Sequence, residues 1–274
     1  MTITDGLIAR SLDVPGARLH YEVRGNGPLL LVIGSPMTAA DFAPLAHALA
    51  TDHTVVTYDP RGLGRSTIDD PSQDSTPELR ADDVAALIDV MGGPADVFGS
   101  SGGAVTGLAL VTRYPDKVRT LLAHEPPVTE LLPEAAEQRA ATEDMIETFH
   151  RDGPEAAWMK FMVNAGFDTA GEGQGAPVGP EPTAEQQAKQ LADMTRFFDH
   201  EMRGTIAYVP DIPTLKRSRV VIGIGTDSGR LLTYRTSTAL ADLLSVSPVE
   251  FPGDHGGFIG APDAFAERLR AALG

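Results

Sequence analysis

Gly99-Ser100-Ser101-Gly102-Gly103 sets serine among glycines, after an apolar run and before a segment of helical spacing. This is the G-x-S-x-G pattern in a strand–turn–helix setting. The central residue of so sharp a turn stands clear of its neighbours, and the glycines carry no Cβ to collide with strand or helix. The amino end of the following helix favours negative charge developing at Ser101. Ser101 is the candidate nucleophile. Ser100, at the variable position, is the weaker candidate, and a Gly-rich turn without catalysis is the plain alternative. A serine hydroxyl at its ordinary pKa needs a base. Of seven histidines, His255 lies in Phe251-Pro252-Gly253-Asp254-His255-Gly256-Gly257-Phe258, between the last strand and last helix patterns. That is the same carboxyl end of the sheet as Ser101, and the glycines around His255 allow close approach. His20, His47, His53, His150 and His200 fall on an edge hairpin, outer helices or an inserted helical segment.

The elements that must position these residues alternate regularly. Apolar or β-branched runs at 29–33, 54–58, 95–99, 118–123, 219–224 and 249–251 read as buried strands. Amphipathic stretches at 39–50, 77–91, 102–114, 231–244 and 262–273 read as helices between them. Residues 7–14 and 18–23, joined by Pro15-Gly16, read as an antiparallel edge hairpin. The expected fold is α/β: a mostly parallel, doubly wound sheet of about eight strands with an inserted helical cap. The rhythm breaks at Pro126-Pro127. Residues 1–127 and 213–274 form the expected core and 128–212 the cap, with helices at 134–151, 155–164 and 184–203. Residues 166–182, rich in Gly, Pro, Glu and Thr, read as a mobile loop.

Composition narrows the function classes. The 274 residues are 42% hydrophobic and 22% charged, ordinary for a soluble globular chain able to bury a large core. There is no cysteine, which excludes a thiol nucleophile, a disulfide scaffold and thiolate metal sites. The net charge of −16 argues against nucleic acid and membrane surfaces as partners. The cap carries 16 acidic and 6 basic residues, a net of −10, so most of the charge excess sits there. No stretch has the pattern of a signal peptide or spanning helix, and a cytoplasmic protein is expected. Asp59, His124, Glu125 and Asp254 match no metal-ligand spacing, so no metal is expected. The oligomeric state stays open, a homodimer included.

With these residues in view, the chain resembles the α/β-hydrolase superfamily over nearly its whole length. Asp59-Pro60-Arg61-Gly62-Leu63-Gly64-Arg65-Ser66 is similar to the D-x-R-G-x-G-x-S loop of its capped members. Gly34-Ser35-Pro36 is similar to their H-G-x-P loop, with Ile33 replacing the histidine. The resemblance implies oxyanion donors at the N–H groups of Ser35 and Gly102. It also implies an acid to orient His255. The usual position, three residues beyond Gly225, is Ser228, and Asp227 falls one short. Haloalkane dehalogenases instead carry the acid after the strand that follows the nucleophile helix, which here is Glu125. A carboxylate there is costly unless paired, and the His255 N–H would pair it. Glu125 is preferred and Asp227 is the alternative. Dehalogenation is disfavoured, because Ser101 stands where those enzymes have aspartate. Met37, Trp158, Phe161, Met162 and Phe198 are the candidate substrate-binding residues, although aromatic and methionine side chains at helical spacing also serve simply as cap core. The expected activity is cofactor-free hydrolysis of a neutral, fairly hydrophobic carboxylic ester or lactone, a small-molecule substrate. The alternatives are a lyase, oxygenase or perhydrolase on the same scaffold, or a non-catalytic receptor that retains the triad.

Overall fold

Apolar runs without polar alternation must be covered on both faces, and they lie mid-sheet. The computed structural model describes residues 6–168 and 183–274. Its strands are β1 (Ile8–Val14), β2 (Ala17–Arg24), β3 (Leu29–Ile33), β4 (Thr54–Tyr58), β5 (Thr67–Ile68), β6 (Ala95–Ser100), β7 (Val118–His124), β8 (Val220–Gly225) and β9 (Val249–Phe251). They form one sheet in the order β1-β2-β4-β3-β6-β7-β8-β9, with the short β5 paired to β2. The β1–β2 hairpin turns at Pro15-Gly16, where Gly16 has φ 76°, and β2 runs antiparallel to β4; every pairing from β4 to β9 is parallel.

The chain order reverses about β3. It steps outward from β3 to β4, then returns on the other side of β3 to build β6, β7, β8 and β9. The carboxyl ends of β3 and β6 therefore flank a topological switch point, where open α/β sheets form their crevice. One face of the sheet is covered by α2 (Pro77–Val90), α3 (Gly102–Arg113), α8 (Ile212–Leu215) and α9 (Leu232–Leu244). The other is covered by α1 (Ala43–Leu49), α10 (Gly257–Gly260) and α11 (Pro262–Leu273). This is the doubly wound α/β fold that the sequence predicts, with eight strands on the main path.

Between β7 and β8 the described residues form α4 (Ala135–Asp152), α5 (Pro154–Ala165), α6 (Ala184–Arg196) and α7 (Met202–Ile206). They share a small core of Met145, Ile146, Phe149, Ala157, Phe198 and Met202. The long helix expected over 184–203 is interrupted by a π-helical turn at Phe197–Glu201. Such a turn adds a residue to the helical repeat and rotates all that follows. The helix expected over 39–50 begins only at Ala43. Asp41 instead closes a turn by accepting the Thr38 N–H at 2.7 Å, and proline occupies the first turn of α1. Most of the expected 166–182 loop lies outside the described residues. Among the described residues, no helix is long and apolar enough to cross a membrane.

Candidate active site

Ser101 has φ 56° and ψ −125°, a conformation costing a non-glycine residue about 1–3 kcal/mol. The glycines around it are required sterically. A Cβ at Gly103 would fall 2.3 Å from the Ile33 carbonyl oxygen, one at Gly99 2.6 Å from that of Gly103, and one at Gly102 2.6 Å from that of Ser35. The strand end, the first turn of α3 and the loop after β3 are therefore pressed together at backbone distance. The Ser101 N–H donates to the His124 carbonyl at 3.0 Å, tying the turn to β7.

Glu125 follows β7 directly and is also strained, with φ 50°. Among the described residues, Ser101, Glu125 and Ser245 are the non-glycine residues with positive φ, and Ser245 merely ends α9. Glu125 is fully buried. Its Oε2 accepts from His255 Nδ1 at 2.7 Å and from the Thr233 hydroxyl at 2.9 Å, while Oε1 accepts from the Gly225 N–H at 2.8 Å. Burial pushes its pKa up. The hydrogen bond and charge of His255, with the Gly225 N–H, prevail and hold it at about 2. An acid with a depressed pKa stabilises the fold above its unfolded pKa and loses that contribution as pH falls through the folded value. The stability difference between wild type and Glu125→Gln is expected to shrink as pH falls from about 4.5 to 2, as urea unfolding across that range would measure.

His255 sits on the Gly-rich loop after β9, its side chain 18% exposed. A carboxylate accepting at Nδ1 assigns the proton to that nitrogen and leaves Nε2 as the free acceptor. Asp227 is exposed, and its backbone N–H, not its carboxylate, reaches the loop by donating to the Gly253 carbonyl. Ser228, at the usual acid position, is buried beneath Gly225. The geometry thus brings Glu125, and not Asp227, to His255. Among the described residues the Ser101 hydroxyl makes no hydrogen bond, and catalytic hydrogen bonds in empty sites commonly tighten only when substrate binds. His124, next in sequence to Glu125, is fully buried and stacks 6.1 Å from the His255 ring. Burial lowers its pKa to about 3, so it remains neutral, and its Nδ1 lies 3.3 Å from the Ser100 hydroxyl.

Ser35 is 3% exposed and abuts Gly102. Among the described residues, neither the Ser35 N–H nor the Gly102 N–H meets an acceptor, which leaves both free to serve an oxyanion. The loop after β4 braces this corner. Asp59 accepts the Ala39 N–H at 2.9 Å and the Arg65 N–H at 2.8 Å, and the Ser66 hydroxyl closes on the Asp59 carbonyl at 2.6 Å. Gly64 is forced by the same contact, since a Cβ there would lie 2.6 Å from Asp59 Oδ2.

The substrate-side residues divide. Met37 is half-buried against the core beside Gly34. Trp158 is 41% exposed and stacks on Phe161 at 5.1 Å. Met162 is half-buried, and its carbonyl accepts the Phe167 N–H. Phe198 does not fit the role expected of it. It is fully buried and stacked on Phe149 at 5.1 Å within the inserted helices' own core, because the π turn faces it inward. Phe167 went unnoticed in the sequence. Gly166, at φ 90°, packs against the Arg230 carbonyl and ends α5, and the next ring lies edge-on to His255 at 6.2 Å. Thr233 was also missed, and a threonine in the first turn of a helix carries no signal that it faces a carboxylate.

Comparison with known proteins gives the same frame. A family model described as the alpha/beta hydrolase family matches residues 29–268. An uncharacterized hydrolase of Bacillus subtilis, YraK, is 34% identical over 100% of this chain and 97% of its own length. A solved esterase from Thermogutta terrifontis is similar with a TM-score of 0.73 at 20% identity, covering 97% of this chain and 98% of that one. A mutant of the N-acyl homoserine lactonase AidH, solved with N-hexanoyl homoserine, is similar with a TM-score of 0.69 at 19% identity, covering 97% of this chain and 95% of that one.

Proposed function

The chain belongs to the alpha/beta hydrolase family, and within it we propose a serine hydrolase that cleaves a neutral, fairly hydrophobic carboxylic ester or lactone through an acyl-enzyme. The observation that carries this reading is the 2.7 Å hydrogen bond from His255 Nδ1 to buried Glu125, on the same sheet edge as strained Ser101. In the proposed reaction, Ser101 Oγ attacks the carbonyl carbon as His255 Nε2 takes its proton. The N–H groups of Ser35 and Gly102 receive the oxyanion. The tetrahedral adduct then collapses, and the alcohol leaves with the proton from Nε2. Water attacks the acyl-enzyme with His255 again as base, and the carboxylic acid departs. Glu125 stays ionised throughout and keeps the Nδ1–H tautomer. The chain's own residues suffice, and no cofactor enters any step.

The substrate class rests on charge and surface. The inserted segment carries a net charge of −10, which disfavours anionic substrates, and Phe167, Phe161 and Trp158 offer apolar rings. A solved structure with this fold is named an esterase and another a lactonase, which fits acyl-oxygen chemistry. The test is a partition experiment. With phenyl and p-nitrophenyl butyrate in aqueous methanol, a shared acyl-enzyme gives one ratio of butyric acid to methyl butyrate. A ratio that follows the leaving group contradicts the covalent route. A carboxylate-bearing ester of similar size is expected to show at least about tenfold lower kcat/KM than its neutral counterpart.

A further inference from the structure

Glu201 closes the π-helical turn of the inserted helices and is 1% exposed. A carboxylate so deep costs several kcal/mol unless paired. Its direct partner belongs to the core: the Ser35 hydroxyl donates to Glu201 Oε2 at 2.6 Å. Arg80, fully buried, lies with Nη1 3.9 Å from the same oxygen and balances its charge. The hydrogen bonds of Arg80 go elsewhere, to the Ser75 carbonyl at 2.5 Å, the Thr205 hydroxyl at 2.9 Å and the Thr106 hydroxyl at 3.0 Å. Thr106 in turn donates to the Gly102 carbonyl at 3.0 Å. One buried network from the inserted helices therefore reaches both segments that carry the oxyanion N–H groups, Ser35 directly and Gly102 through Arg80 and Thr106.

We infer that Glu201 is a positioning residue of the oxyanion pocket: by holding the Ser35 hydroxyl it fixes the direction of the Ser35 N–H, so the pocket is complete only when the inserted helices are docked. The inference rests on the esterase reading above. Glu201 touches no reacting atom in this account. It acts through Ser35, and its loss therefore weakens transition-state binding and leaves ground-state binding alone.

The experiment is steady-state kinetics on p-nitrophenyl butyrate with wild type, Ser35→Ala, Glu201→Ala, Glu201→Gln and the Ser35→Ala/Glu201→Ala double variant. Misaiming one donor is expected to lower kcat about tenfold in each alanine variant, less than the ~100-fold or more of losing a donor outright, with KM within about twofold. The double variant is expected to stay within about twofold of the slower single variant, because both break one link. Glu201→Gln, whose amide oxygen still accepts from Ser35, is expected to recover at least about a third of wild-type kcat. Losses confined to KM, losses that multiply in the double variant, or a Ser35→Ala enzyme within about twofold of wild-type kcat overturn the inference. Ser35→Ala keeps the Arg80 guanidinium beside Glu201, so it decides the matter even where Glu201→Ala fails to fold. A folded wild type that turns over no ester overturns the esterase reading, and this inference with it.

Discussion

Ser101→Ala is expected to lower kcat for a neutral ester by about 10⁴- to 10⁶-fold while the protein stays folded. The magnitude follows from the role. In the proposed reaction Ser101 Oγ forms the covalent bond, and neither the oxyanion N–H groups nor His255 can supply another nucleophile of equal position. The residual rate is that of water attacking a carbonyl held in the oxyanion pocket. The substitution also removes a hydroxyl without changing the turn's glycine contacts, so thermal unfolding should move little. Alanine adopts the strained φ of 56° no more easily than serine, which leaves the backbone term nearly unchanged. Kinetics and a melting curve on the same preparation separate loss of the nucleophile from loss of the fold.

The second large effect distinguishes two carboxylates. Glu125→Gln is expected to reduce kcat by about 10⁴-fold, since an amide at that position can present N–H to Nδ1 and favour the tautomer that blocks Nε2. Asp227→Asn is expected to stay within about twofold of wild type, because its exposed carboxylate stands apart from His255 and only its backbone braces the loop. Kinetics of the two variants, each checked for folding, decide the assignment. A reversed order would mean that the loop after β8 reorganises to bring Asp227 to His255 during turnover.

The fold was legible because its signals are local and repeat. Branched strand runs, helices between them and the Pro15-Gly16 turn each announce themselves within a few residues, and their alternation implies a parallel sheet. Thr67–Ile68 had no such signal, since two residues give no period. The glycine-flanked turn at Ser101 and the glycine-rich loop that carries His255 were legible for a related reason. The elbow must be glycine-flanked to fit under Ile33 and Ser35, and the last loop must be glycine-rich to bring a ring against β7. The choice between Glu125 and Asp227 depended on which strand end faces His255 across the sheet, a long-range fact that no local pattern contains.

The inserted helices were the least legible part. A 3.6-residue period read across 184–203 treats the segment as one helix, whereas the π turn at Phe197–Glu201 shifts its phase. Within it Phe198 lies in the helices' own core, not at the substrate-binding position expected of it, and Glu201 accepts from the Ser35 hydroxyl. Phe167 gave no signal either. It follows a helix end rather than lying on a face, and its position over His255 depends on Gly166 docking against Arg230.

The proposed chemistry requires an activated Ser101, and a fluorophosphonate probe read by intact mass detects one. Wild type beside Ser101→Ala is the comparison, because the probe reacts with a serine whose proton His255 can take and whose adduct the oxyanion N–H groups can bind. The expected result is one adduct per chain on wild type, mapped to Ser101, and none on the variant. A folded wild type that stays unmodified, or a variant labelled as fast as wild type, would contradict it.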